Sequence, residues 1–160
     1  MFYIEKFRAR FHNMLLSMII LVVFSTGTAN AESIKREFIN PANGYTQVVA
    51  ISANGVTTLY TSGQVSEGET LEDQLRGTFA ALKSQLTDAG ASLNDIVKMN
   101  TYIVDYKKSH LDTFRNVRDE FFPKKNRPAS TLVGVTALAL PKYLVEIEAI
   151  AVIAADDSAE

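Results

Sequence analysis

The last apolar run of the chain, Leu144 to Ile153, is apolar on both of its sides. Alternate residues of an extended strand face opposite ways. Val145, Ile147, Ala149 and Ala151 therefore form one side, and Ile150 and Val152 share the other with Glu146 and Glu148. A strand of this kind needs cover on both sides, so it belongs inside a sheet with helices against one side. On the other side a second copy of the chain is the simplest cover, and self-association is predicted.

The segments upstream supply the rest of that sheet and its helices. Ile34 to Ile39 reads as a short strand followed by a loop through Pro41, Asn43 and Gly44 to Tyr45. Two β-branched runs follow, Thr46 to Ser52 and Val56 to Val65, joined by Ala53-Asn54-Gly55; Asn-Gly between alternating runs predicts a type I′ hairpin. Thr70 with Asp73 three residues on predicts a capping box, and Leu71, Leu75, Phe79, Leu82 and Leu86 draw one apolar helical stripe that Gly90 ends. Asp95 to Val104 alternates Val97, Met99, Thr101 and Ile103 against Lys98, Asn100 and Tyr102, a strand with one polar side. A second helix is expected from about Ser109, with Asp112 as capping partner and Leu111, Phe114, Val117 and Phe121 as its stripe, stopping at Pro123. Ser130 to Ala137 gives one more strand before the Leu140-Pro141-Lys142 turn. The order β-β-β-α-β-α-β-β predicts an α+β sandwich with two helices on one sheet face.

The start of the chain reads differently. Lys6, Arg8 and Arg10 precede an apolar run from Met14 to Phe24 broken only by Ser17, and Ala29-Asn30-Ala31 follows as a small-x-small triplet. This is the anatomy of a secretory signal peptide over residues 1–31, cleaved after Ala31, and the run is shorter than the ~20 residues a membrane span needs. It predicts a periplasmic or secreted domain over residues 32–160 with no membrane attachment after cleavage. Processing removes three basic residues and one acidic one, leaving 13 basic against 17 acidic. With no basic tract, nucleic acid is not an expected partner. The absence of cysteine excludes disulfides and thiolate catalysis, and one histidine after processing, His110, excludes a multi-histidine metal site within one chain.

Two catalytic constellations fail on the residues alone. Glu146 and Glu148 have the spacing of a carboxylate pair, but the chain has no tryptophan on which a sugar would stack. Ser62 or Ser130 with His110 lacks a nucleophile elbow, and His110 falls at a helix start.

Several separated pieces, in order and spacing, resemble the Rid family, also called YjgF/YER057c/UK114. They are Tyr45 with Gln47, Thr61-Ser62-Gly63-Gln64, Gln74, Ala89-Gly90 before Ile96-Val97-Lys98, Tyr102 to Asp105, Phe121-Phe122, Arg127-Pro128-Ala129 and Val145-Glu146-Ile147-Glu148-Ala149. The resemblance implies a chorismate-mutase-like α+β fold, with two helices on one face of a mixed sheet. It also implies a homotrimer whose sheets close into a barrel and whose clefts between subunits hold a small-molecule metabolite, without a cofactor. In the family's catalytic branch, water adds to a 2-imino acid and ammonia departs, leaving a 2-keto acid. That chemistry needs a forked cation for the carboxylate, an acid/base group and fixed donors. By position the resemblance implies Glu146 as the water-handling glutamate, Tyr45 as a cleft-lining tyrosine, and Ser62-Gly63, Arg127 and Ala129 as pocket borders. The carboxylate-binding arginine falls on Ser130, so a binding protein with impaired hydrolysis is expected. The alternative is an active imine deaminase using Glu146 and a substitute cation, for which Arg115 and Arg127 are the candidates.

Overall fold

Asn-Gly pairs shape the first third of the sheet. In the computed structural model, which describes residues 33–155, β1 (Lys35–Ala42), β2 (Tyr45–Ala53) and β3 (Val56–Thr61) form an antiparallel meander. Asn54 (φ 52°) and Gly55 (φ 72°) both take positive φ, the type I′ geometry the sequence predicts between β2 and β3. The segment from Asn40 to Gly44, read as a loop, is instead a second hairpin: Ala42 pairs with Tyr45 around Asn43-Gly44, and Gly44 has φ 92°. Pro41 does not interrupt it because β1 is an edge strand, where a missing N–H costs no ladder bond on the open side. The leader expected over residues 1–31 lies outside the described residues.

Helix α1 (Leu71–Asp88) begins with the predicted capping box: Asp73 N–H donates to Thr70 Oγ1 at 3.1 Å and Thr70 N–H to Asp73 Oδ2 at 3.2 Å. It ends at Gly90 (φ 76°), with Ala91 N–H returning to Leu86 C=O at 2.8 Å. A 3₁₀ turn at Leu93–Asp95 leads into β4 (Ile96–Val104). The register shifts between Ile96 and Lys98, and this bulge turns Val97 outward while Ile96 and Met99 stay buried, contrary to the simple alternation read from the sequence. Helix α2 (Lys108–Phe121) starts one residue earlier than expected, and its capping side chain is His110 rather than Asp112: Lys107 N–H donates to the ring Nδ1 at 3.2 Å.

Strand β5 (Ala129–Val135) pairs parallel with β4, and β6 (Val145–Ala154) is antiparallel to both β3 and β4. The mixed sheet therefore runs β1-β2-β3-β6-β4-β5, with the two-sided apolar strand in its interior as its sequence requires. Both helices lie on one face. Phe79 of α1 stacks on Phe121 (centroids 5.1 Å apart) and meets Phe122 edge-on at 5.7 Å, over Ile147, Met99 and Leu59 of the sheet. Gln74 is buried among these groups with its amide fully used: Nε2 donates to Gly68 C=O (3.1 Å) and Lys142 C=O (2.9 Å), and Oε1 accepts from Leu144 N–H (2.8 Å). It thereby fixes the turn that delivers β6 to the sheet.

Among the described residues, nothing covers the face away from the helices. Phe38 is 63% exposed, Tyr60 44% and Val152 37%. By strand alternation they share this side with Glu146 and Glu148.

Candidate functional site

Glu146 reaches this face from β6 between two supports. One is the chain leaving β3. Ser62 N–H donates to Gln47 C=O (2.8 Å) and its hydroxyl to Thr46 C=O (2.6 Å). Gln64 then pairs back onto β6, its N–H donating to Ile147 C=O (2.8 Å) and accepting from Ile147 N–H at its own C=O (3.0 Å). Gly63 is held between these two anchors, directly under the glutamate. A Cβ built there would stand 1.8 Å from Glu146 Oε1 and 2.6 Å from its carboxyl carbon. Only glycine leaves room for the carboxyl. Gly63→Ala is accordingly expected to displace the Glu146 carboxyl while leaving the core intact. Any reaction or binding step that depends on this group should fall by on the order of 100-fold, with little change in melting temperature; ligand titration and thermal unfolding of the same sample check both.

The other support is β4. Asn100 and Tyr102 stand opposite Glu148 and Glu146 in the β4–β6 ladder. Asn100 Nδ2 and Tyr102 O–H both donate to Glu148 Oε1, at 2.9 and 3.0 Å. Burial first, and then the negative charge of Glu148, push the Glu146 carboxyl above the usual carboxylate range. Tyr102 is raised too, chiefly because its hydroxyl donates to Glu148. A half-buried carboxyl of raised proton affinity beside the backbone of a fixed loop is suited to giving and taking a proton.

Tyr45 joins the same region through side chains. Gln64 Nε2 donates to Gln47 Oε1 (2.8 Å), and Gln47 Nε2 donates to the Tyr45 hydroxyl (3.3 Å). Of the residues singled out in the sequence, Tyr45, Ser62, Gly63 and Glu146 are thus brought together in one chain.

The others are placed elsewhere. Ser130, exposed at the start of β5, is the register partner of Met99 on the helix side of the sheet, whereas Glu146 faces Tyr102 on the uncovered side. Ala129 lies beside Lys98. Arg127 is tied to Asp119 (2.8 Å) and to Pro123 C=O (3.4 Å) at the end of α2. Arg115 is exposed on α2, 4.0 Å from Asp112. On β4, next to the carboxylates, stands Lys98, whose ammonium donates to Thr131 Oγ1 at 2.6 Å and which lines a shallow depression with Tyr60, Asn100, Glu148 and Ile150. The sequence shows Lys98, Asn100 and Tyr102 as one polar side of a strand, but their partnership with Glu148 depends on a register that it does not display.

A two-helix layer on a mixed six-stranded sheet, with a carboxyl lodged on a glycine loop, defines a small α+β domain of the YjgF type. The chain belongs to the endoribonuclease L-PSP family, whose model matches residues 35–153 and which is the YjgF/Rid family of the sequence resemblance. Among its relatives is the mitochondrial protein mmf1 of Schizosaccharomyces pombe, 38% identical over 119 residues that make up 69% of this chain and 67% of that protein. A 2-iminobutanoate/2-iminopropanoate deaminase of Dermatophagoides farinae is 33% identical over 122 residues, 71% of this chain and 88% of the relative. A YjgF/YER057c/UK114-family crystal structure from Mycobacterium tuberculosis superposes with a TM-score of 0.64 at 30% identity, over 74% of this chain and all of that one.

Proposed function

We propose that the chain forms homotrimers whose clefts between subunits bind a small carboxylated or polar metabolite at Glu146, with imine hydrolysis impaired by Ser130. The observation that carries this reading is the Glu146 carboxyl, half-buried, raised in proton affinity and seated on Gly63. The hydrogen-bond chain from Tyr45 through Gln47 to Gln64, next to Gly63, supplies polar groups in the same region, while the exposed Phe38, Tyr60 and Val152 call for a second copy as cover. Ser130 and Glu146 sit on opposite sides of one sheet, so a cleft that unites them needs two chains. Two carboxylates on the open face disfavour a phosphate backbone, so the ribonuclease of the family's description is not carried to this chain. The basic, apolar and small-residue pattern of residues 1–31 supports export.

The second reading is hydrolysis by the same group. Glu146 would take a proton from water as the water oxygen bonds the imine carbon and the C=N π pair moves to nitrogen, pass that proton to nitrogen to give the carbinolamine, and then carry the hydroxyl proton to nitrogen, so that C=O forms as the C–N bond breaks and ammonia leaves. The raised Glu146 favours this reading, and so does the name of the mite relative. Purified protein mixed with an amino-acid oxidase that generates 2-imino acids separates the two readings, with the imine followed by semicarbazide trapping. The binding reading expects no faster imine loss than in buffer; acceleration that vanishes in Glu146→Ala would overturn it in favour of the deaminase. Light scattering on the same sample is expected to give three chain masses, and a monomer would contradict the cover argument.

A further inference from the structure

Glu146 and Glu148 project from β6 to the same side, yet their surroundings differ. Glu148 is fixed by two donors from β4, Asn100 Nδ2 and Tyr102 O–H, both on Oε1. Tyr102 stands opposite Glu146 in the ladder, but its hydroxyl crosses diagonally to the other carboxylate. Glu146 is left with the Gly63 backbone on one flank and the anion of Glu148 on the other. Two carboxyls in such unlike settings can divide a task between a fixed charge and a proton carrier. Among the described residues, the remaining titratable groups on this side are Arg36 from β1, Tyr45 from β2, Tyr60 from β3 and Lys98 from β4. Lys98 lies beyond Asn100 along β4 and is engaged by Thr131, and Arg36 is on β1 at the far edge of the sheet, so among the described residues no cation offsets Glu148 at Glu146.

We propose that Glu148, pinned by Asn100 and Tyr102, is a positioning residue: its held negative charge keeps the Glu146 carboxyl ready to carry a proton at the ligand. The proposal deepens the reading of Glu146 as the ligand-facing group and rests on it for its function. The proton stays on Tyr102, whose own acidity is suppressed by the bond to Glu148, so the pin persists through the range in which Glu146 titrates.

The test follows the Glu146 carboxyl carbon by NMR through a pH titration of the folded protein, in wild type, Glu148→Gln and Tyr102→Phe. Removing the neighbouring anion makes ionisation of Glu146 easier, so its midpoint should fall in Glu148→Gln by on the order of 0.5–1 in pH. Burial is the larger cause of its elevation and remains, so part of the elevation should persist. In Tyr102→Phe the Glu148 side chain keeps one donor and gains freedom, and the Glu146 midpoint should fall by less. A midpoint that stays within about 0.2 of wild type in Glu148→Gln overturns the proposal. Should that variant fail to fold, an unmoved midpoint in Tyr102→Phe overturns it equally. A parallel titration with 2-oxobutanoate, a small 2-keto acid, separates the two levels. If the ligand leaves the Glu146 signal untouched while Glu148→Gln still moves its midpoint, the ligand reading fails and the electrostatic role of Glu148 stands.

Discussion

Placing arginine at position 130 is expected to raise affinity for a small 2-keto acid such as 2-oxobutanoate by on the order of 30-fold to a few thousand-fold. That range corresponds to the roughly 2–5 kcal/mol carried by a charged, hydrogen-bonded partner of a buried carboxylate, at about 1.4 kcal/mol per decade. Serine offers one hydroxyl and no charge, while guanidinium offers a fork that fits both carboxylate oxygens. The site tolerates the longer side chain, since Ser130 is exposed on an edge strand where no core neighbour must move. Because Ser130 lies on the helix side of its own sheet, the gain should depend on assembly and weaken on dilution below the dissociation range of the proposed trimer. Isothermal titration of wild type and Ser130→Arg at two protein concentrations measures both effects. A variant that assembles as the wild type does and binds no more tightly would show that position 130 alone does not set the affinity.

The largest expected loss of stability comes from Phe79→Ala, at about 3–5 kcal/mol. Phe79 is fully buried, and its ring meets Phe114 of α2 at 6.3 Å as well as Phe121 and Phe122 at the end of that helix. These three contacts help join α1 to α2 and its end in the core, and each aromatic pair adds to the loss of buried area. Backbone from two helices and the sheet frames the cavity, which limits collapse around it. Urea denaturation should show a lower midpoint at nearly constant slope. A loss under about 1 kcal/mol would mean that the helix layer can close over the gap.

Local signals in the sequence are clear where a side chain decides its own backbone. Asn54-Gly55 sets a type I′ turn, Thr70 and Asp73 close a capping box, and the Leu75-Phe79-Leu82-Leu86 stripe falls on the buried face. Other features depend on neighbours distant in the chain. Pro41 looks like a strand breaker until β1 is known to be an edge. The bulge at Val97 is invisible because Ile96 and Val97 are both apolar, and either alternation is plausible along the chain. His110 caps α2 with a ring nitrogen, a weaker signal than the oxygen of Asp112. At the site, the sequence resemblance points to Tyr45, Ser62, Gly63 and Glu146, and these do converge. The role of Asn100 and Tyr102 rests on their register against β6, a tertiary fact that no local pattern encodes.

The place of β6 has a consequence for how the domain is made. It is the last of the described strands, yet it lies between β3 and β4, and those two strands do not pair with each other. Until Val145–Ala154 has emerged from the ribosome, the β1–β3 meander and the β4–β5 pair are two pieces without a common sheet. Long-range pairing of this kind is slow relative to local structure, so the six-stranded sheet cannot close before β6 is available. Closure of the full sheet thus waits on β6, and truncation just before Val145 should leave a chain that regains the fold only when β6 is supplied in trans.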